Sequence, residues 1–225
     1  MSTTTAATTP SAESPAEPAA APTSPPLPDE LWLKILNELD YAGLQKAEQL
    51  CKKFKGFLQD TSLDNALFRA KPPQELVPGM KVTIHPLLQA TNCLFYGKDA
   101  VTKATWMTGV PERTAFKYSA IDEYATNPSC RRMYLRVGCE APAKVKDANG
   151  ITVGRLLRSL GRFWGSEPPR EIALDYLGGN MELEDVTWRT TIGRHMVWTC
   201  WRKAFVKVHE EKGPSIVLVA EEIIC

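Results

Sequence analysis

Residues 27–69 read LPDELWLKILNELDYAGLQKAEQLCKKFKGFLQDTSLDNALFR, a run with the marks of short amphipathic helices. Pro28 suits the first helical position, and Asp29 and Glu30 put negative charge in the first turn, where the helix dipole favours it. Leu31, Ile35 and Leu39 recur at i, i+4 and i+8, one stripe of a helix. Trp32, Leu33 and Leu36 are apolar as well, so hydrophobic side chains cover well over half of its circumference. Asp40 to Gly43 supplies a break. The pattern predicts a second helix that turns Leu44, Ala47, Leu50, Cys51 and Phe54 inward and leaves Lys46, Lys52 and Lys53 in water. After a bend at Gly56, residues Phe57, Leu58, Leu63, Leu67 and Phe68 repeat the theme.

A segment of this size is near the lower limit for an independent core. Two short helices hide one face each, which leaves the extra apolar side chains of the first helix without cover. Keeping about three of them wet forfeits roughly 5–8 kcal/mol, comparable to the whole stability of a small domain. The surplus calls for a second surface, either the rest of this chain or another protein.

Leu27-Pro28-x-Glu30-Leu31, Ile35-Leu36-x-x-Leu39, Leu44 and Leu50-Cys51-x-x-Phe54 together resemble the F-box. The usual pattern has Val at the Leu50 position and Trp at the Phe54 position, and both changes keep a bulky apolar group. Asp40 stands where a Pro often follows the leucine. The resemblance covers residues 27–70 and implies a three-helix hairpin bundle. It further implies that Leu27, Pro28, Leu31, Ile35, Leu36, Leu39, Leu44, Leu50, Cys51 and Phe54 form or support a surface that grips a Skp-family linker.

Residues 1–26 are Thr, Ala, Ser and Pro with almost nothing bulky. Such a segment buries too little apolar surface to offset its ordering entropy, so a disordered tail is expected. It has neither the cationic start nor the apolar run of a secretory signal, and the first basic residue is Lys34. No run approaches the ~20 apolar residues of a membrane span, so no membrane partner is expected. The 225 residues carry 27 Lys and Arg against 26 Asp and Glu, a net charge of +1. That balance argues against general nucleic-acid binding, which draws on a strongly basic field. The six cysteines form no CxxC pair and no ligand spacing with His85, His195 or His209. They read as reduced thiols of a cytoplasmic or nuclear protein, with no metal site and no cofactor expected.

Lys71-Pro72-Pro73 ends the helical segment, since neither proline continues a helix. Beyond it, residues 71–225 alternate helix-like and strand-like patterns. Met80 to Ile84 alternates weakly, and Pro86-Leu87-Leu88 starts a loop or helix leading to Leu94, Phe95 and Tyr96. Residues 97–120 are polar and read as an insertion or mobile loop. Met133, Leu135 and Val137 alternate with Tyr134, Arg136 and Gly138, a half-buried strand. KVKDANG at 144–150 is expected to turn, with Asn149-Gly150 at the tip. Thr152 then caps a helix from Val153 to Phe163, whose Val153, Leu156, Leu157 and Leu160 face the core.

Arg155, Arg158 and Arg162 share the other face of that helix. They are either a solvated surface or, with Arg131 or Arg132 alongside, a holder for phosphate or an acidic peptide. Glu171 to Leu177 reads as a short strand ended by Gly178-Gly179-Asn180. For residues 195–209 the spacing of Val197, Trp198, Trp201, Phe205 and Val208 favours a helix over the strand that Met196, Trp198 and Cys200 suggest. Ser215 to Ile223 is a strand, rich in β-branched residues and fenced by Gly213-Pro214. Trp188, Trp198 and Trp201 crowd this end, as core or as a recognition pocket.

This half is also similar to short F-box proteins of filamentous fungi, which carry S-W-R-R-M-x-x-T-Q-P-P and then G-[IV]-T-x-G-x-L. Ser129-Cys130-Arg131-Arg132-Met133 stands for the first motif, and Gly150-Ile151-Thr152-Val153-Gly154-Arg155-Leu156 for the second. Cys130 replaces the Trp, and Arg136 to Cys139 replaces the T-Q-P-P run. The similarity implies a shared α+β scaffold and no particular substrate.

No G-x-S-x-G elbow, phosphate loop or HExxH is present, and Glu210-Glu211 and Glu221-Glu222 are chain neighbours whose carboxylates diverge in regular structure. The chain is therefore expected to be a non-catalytic α+β protein: a tail, an F-box, and a small mixed domain at 71–225. The resemblance implies an adaptor that joins a Skp linker, and through it a cullin ubiquitin ligase, and presents an unidentified protein substrate for ubiquitination. The alternative is a Skp-bound scaffold outside any ligase. Within that frame Arg155, Arg158, Arg162, Arg131 and Arg132 are the substrate-side candidates, ahead of the tryptophans.

Overall fold

The computed structural model describes residues 27–89, 116, 119–136, 143–177, 186–188, 197–209 and 213–223. The expected tail at 1–26, the aromatic run at 94–96, most of the 97–120 insertion and Val137 lie outside them.

Three short helices open the described chain: α1 (Asp29–Asn37), α2 (Tyr41–Leu50) and α3 (Lys52–Phe57). Pro28 precedes the first turn of α1 instead of starting it. Asp40 caps α2, its Oδ1 accepting the Gly43 N–H at 2.7 Å. At Cys51 the backbone is extended (φ −162°, ψ 165°), so the expected second helix is two helices with a break between them. That break corrects the inward placement of Leu50 and Cys51. The chain leaves the helix before it can carry them beneath α1, and both are exposed. A 3-10 turn at Thr61–Leu63 follows. Leu36, Leu44, Leu58, Leu63, Leu67 and Phe68 close a small core, with Phe54 and Phe57 packed half-buried at its margin.

The second half begins with β1 (Thr83–Ile84) and α4 (Pro86–Gln89). A 3-10 turn at Ser119–Asp122 leads to β2 (Thr126–Asn127), which pairs antiparallel with β1. Next come β3 (Arg132–Arg136), β4 (Ala143–Lys146), α5 (Val153–Gly165), α6 (Arg170–Leu177), β5 (Val197–His209) and β6 (Gly213–Ile223). The main sheet runs β4-β3-β6-β5, with β3 and β6 parallel and the outer pairs antiparallel. Helices beside two small sheets make the fold α+β.

One face of the main sheet is apolar. Met133 and Leu135, Val145, Val206, and Ile216 and Leu218 join Leu156, Leu157 and Leu160 of α5 and Leu87 and Leu88 of α4 in a single core. Thr152 starts α5 as its sequence predicts, its Oγ1 accepting the Arg155 N–H at 3.2 Å. Three expectations need correction. Lys144 to Lys146 belong to strand β4, and the turn is confined to the four residues after them. Residues 170–177 are helical, because Pro168-Pro169 is a helix-start signal and the Ala173 N–H reaches the Pro169 carbonyl at 3.0 Å. Residues 197–209 are a strand paired with β6 from end to end. Register shifts between Trp198 and Cys200 and between Trp201 and Lys203 break its period of two, and the apolar residues fall at helix-like spacings.

Candidate protein-docking surface

At about 100° per residue, Trp32 and Leu33 lie within about 60° of Leu36 on α1, whereas Leu31 and Ile35 lie about 100–140° away. The helix therefore presents two apolar faces. Leu36 is 2% exposed and faces the small core, with Trp32 and Leu33 half-buried beside it. Leu31 is 41% and Ile35 46% exposed on the opposite side, and Leu27 and Leu39 extend their line at either end of the helix, both exposed. The described residues leave the stripe uncovered.

Leu50 adds to it. The Lys53 ammonium meets the Asp29 carboxylate at 2.7 Å, and the Trp32 and Phe54 rings meet edge to face with centroids 5.0 Å apart. Both contacts hold the start of α3 against the start of α1, which brings Leu50, three residues before Lys53, to that end of the unit. Its side chain is 72% exposed. Cys51 beside it is an exposed free thiol, and Pro28 is exposed too. The ten residues singled out by the F-box pattern thus divide in two. Leu44 and Leu36 are buried supports and Phe54 a half-buried one, while Leu27, Pro28, Leu31, Ile35, Leu39, Leu50 and Cys51 stand in solvent.

A cluster that sequence spacing does not reveal ties this unit to the second half. The Tyr41 hydroxyl donates to Glu123 Oε2 at 2.6 Å, and His85 Nε2 lies 2.9 Å from the same oxygen. The Leu87 N–H donates to His85 Nδ1 at 3.0 Å, so the ring proton sits on Nε2 and is given to Glu123. Burial, and then the Glu123 charge, push the Tyr41 phenol well above its usual range. Phe68 stands over His85 with ring centroids 4.7 Å apart, and the Tyr124 N–H donates to the Phe68 carbonyl at 2.8 Å. Both side-chain donors end on one carboxylate oxygen, and both His85 nitrogens are engaged. The arrangement clamps two halves together.

The arginines do not converge. Arg131 donates to the Ala148 and Pro73 carbonyls at 3.1 and 3.2 Å, bracing the turn after β4 and the strap from the helices. Arg155 lies 3.7 Å from the Asp147 carboxylate, bracing the same turn. The Arg158 guanidinium sits over the Phe116 ring at 5.8 Å, and Arg162 is exposed farther along α5. Arg132 lines a half-open cavity of about 220 Å³ with Arg131, Pro73, Gln74 and Ser129, a site that no α5 arginine reaches. Trp188 stacks on Phe163 at 5.3 Å, and Trp188 and Trp201 are buried in the core, which answers the alternative of a recognition pocket for those two. The Trp198 side chain lies outside the described residues.

Among the described residues no group of three His, Cys, Asp or Glu is placed to hold a metal ion, and no helix is long and apolar enough to cross a membrane. Compared with protein-family models, curated proteins and solved structures, the chain matches none.

Proposed function

We propose that the chain is an F-box adaptor: its α1 stripe docks a Skp-family linker, and its second half holds a protein substrate for a cullin ubiquitin ligase. The observation that carries this reading is the exposure of Leu31, Ile35 and Leu50 above a core that Leu36 and Leu44 already close. An apolar helix face left in water by its own domain is stabilised by a partner. The residues that resemblance assigns to linker contact are largely the ones in solvent. The Tyr41–Glu123–His85 clamp supports the reading from a second side. An adaptor works by proximity, and a fixed angle between its two halves raises the effective concentration of a substrate lysine at the ubiquitin thioester.

The test is the double substitution Leu31→Ala plus Ile35→Ala, assayed against a purified Skp linker. Both side chains are outside the small core, so circular dichroism should be unchanged while binding falls by more than ~3 kcal/mol, about a hundredfold or greater. A folded double variant that binds as well as the parent removes the adaptor reading. Recovery of cullin with the native complex separates a ligase subunit from a scaffold.

A further inference from the structure

The main sheet has a second face, and in three successive rows across it every charged position is cationic, with Glu221 of β6 lying one row beyond the third. Register sets out the three rows across the strands. In the first, Lys146 stands beside Arg132, and Ser215 beside Lys207. In the second, Lys144, Tyr134, Val217 and Phe205 are consecutive neighbours across all four strands. In the third, Arg136, Val219 and Lys203 line up across β3, β6 and β5. Every Lys and Arg among them is exposed, and none of these positions carries an acid. Segregation of this kind is notable in a chain whose Lys plus Arg exceeds Asp plus Glu by one.

Among the described residues none of these cations pairs with an acid. Lys144 holds the Lys146 ammonium below the usual lysine range, a sign of like charges crowded together. Lys144 also sits over the Tyr134 ring at 5.8 Å. Down the middle run Val219, Val217 and Ser215 of β6, short side chains of which Val219 is half-buried and Val217 and Ser215 are buried between the cations of β3 and those of β5, with Phe205 at 42% exposure on one side.

We infer that this face is where the second half takes its partner, and that the partner is an extended, Asp/Glu-rich polypeptide segment. Rows two residues apart along a strand are ~7 Å apart, which is also the spacing of alternate side chains in an extended peptide. A segment lying along the strands sets alternate carboxylates against successive rows and turns its intervening aliphatic residues away from the sheet. The cations are mostly lysines spread over three of the four strands. They suit several separate carboxylates better than one phosphate, which is gripped by arginines converging on a point. Single-stranded nucleic acid needs ring faces at successive positions on which to stack bases. Tyr134 is already covered by Lys144, which leaves Phe205 as the one other ring on this face among the described residues. The identification of the segment as a substrate rests on the adaptor reading, but its binding does not.

The experiment uses the full chain and a fluorescein-labelled twelve-residue peptide of alternating Glu and Val. Anisotropy should report binding that weakens at least about tenfold between ~50 and ~300 mM NaCl, as exposed charge pairs are screened. Lys203→Glu plus Lys207→Glu should lower affinity at least tenfold, and the milder Lys203→Gln plus Lys207→Gln pair should lower it less. Both variants should keep the parent's circular dichroism and its affinity for the Skp linker. Arg158→Glu plus Arg162→Glu on α5 should leave peptide affinity unchanged. The inference is overturned if the peptide does not bind, if a Gln/Val peptide binds equally, or if the β5 variants bind as the parent does. A single-phosphoserine peptide, an oligouridylate or phosphatidylserine vesicles binding more tightly than the Glu/Val peptide would also overturn it. Loss of linker binding by Leu31→Ala plus Ile35→Ala should leave peptide affinity untouched, so the two readings fail separately.

Discussion

The Tyr41 hydroxyl donates to Glu123 Oε2 across 2.6 Å, joining side chains 82 positions apart in the sequence. The bond lies at the first residue of α2 on one side and just after a 3-10 turn on the other, and His85 donates to the same oxygen. Around it, Ser129 Oγ donates to the Ala70 carbonyl at 2.7 Å and Asn127 Nδ2 to the Asn65 carbonyl at 2.9 Å. Two hydrophobic cores are thus fastened to each other by polar contacts of defined direction, which set the angle between the apolar α1 stripe and the basic sheet face.

Tyr41→Phe tests that joint. The ring and its edge contact with His85, centroids 4.9 Å apart, are retained, while Glu123 loses one of its two donors. A hydrogen bond to a partly buried carboxylate is worth about 1–3 kcal/mol, so the melting temperature should fall by several degrees. A double-mutant cycle with Glu123→Gln should show coupling between the two sites. Additive losses would mean that the bond contributes nothing specific to docking.

Leu50→Lys separates docking from folding. With its side chain 72% exposed, replacing Leu50 should change stability by less than about 0.5 kcal/mol. Placed at the end of an apolar interface, the new charge must be desolvated on binding, and linker affinity should drop by about 1–3 kcal/mol. Leu44→Ala is the contrast: fully buried, it should lose about 2–5 kcal/mol of stability. If Leu50→Lys binds the linker as the parent does, Leu50 stands outside the contact.

Periodicity carried the first helices because α1 is a helix with two apolar faces, and a count of Leu31, Ile35 and Leu36 already shows the excess. It did not reveal the break at Cys51, which is a matter of backbone conformation in a run of good helix formers. The cationic sheet face was partly visible: Lys203-x-Phe205-x-Lys207 and Lys144-x-Lys146 each alternate with period two. The first was hidden by the bulges upstream in β5, and the second by its position before a turn. The clamp was not legible at all. Tyr41, His85 and Glu123 are isolated in sequence, and only the docking of one core on the other brings them together. Their charge and spacing set the arginines foremost in the sequence, whereas in the fold Arg131 and Arg155 brace a turn.

Gly150 is a position where backbone freedom and space are both required. Its φ is +107°, and a Cβ there would stand 2.5 Å from Tyr124 Cε1 and 2.8 Å from Pro72 Cγ. Tyr124 also donates its hydroxyl to the Asn149 carbonyl at 3.1 Å, so the ring is held in place. Gly150→Ala should cost roughly 2–4 kcal/mol, strain and steric conflict together. Gly79, at φ +81° with nothing near, is the control: Gly79→Ala bears the strain alone and should cost about 1 kcal/mol. Equal losses in a denaturant titration would show that the contact with Tyr124 relaxes freely.

Cys130 sets an expectation for alkaline pH. The thiol is 2% exposed in the second core, and burial pushes it up to about 12, against a partial opposing effect of hydrogen bonds from its surroundings. An unfolded thiol ionises near 9. The neutral form is therefore favoured by folding, and its contribution is fully present below about pH 9 and is lost as pH rises toward about 12. The slope approaches ~1.4 kcal/mol per pH unit within that window for one proton. Tyr41, whose phenol is also raised, adds a loss of the same sign above its ordinary range. Comparing the parent with Cys130→Ala cancels Tyr41 and the lysines. The variant should be less stable at neutral pH, and between about pH 9 and about pH 11 its stability should fall less steeply. At about pH 8, iodoacetamide should alkylate the exposed Cys51 and spare Cys130, as peptide mass mapping would read out. Identical pH slopes for parent and variant, or equal labelling of the two thiols, would show that Cys130 reaches water from the native state.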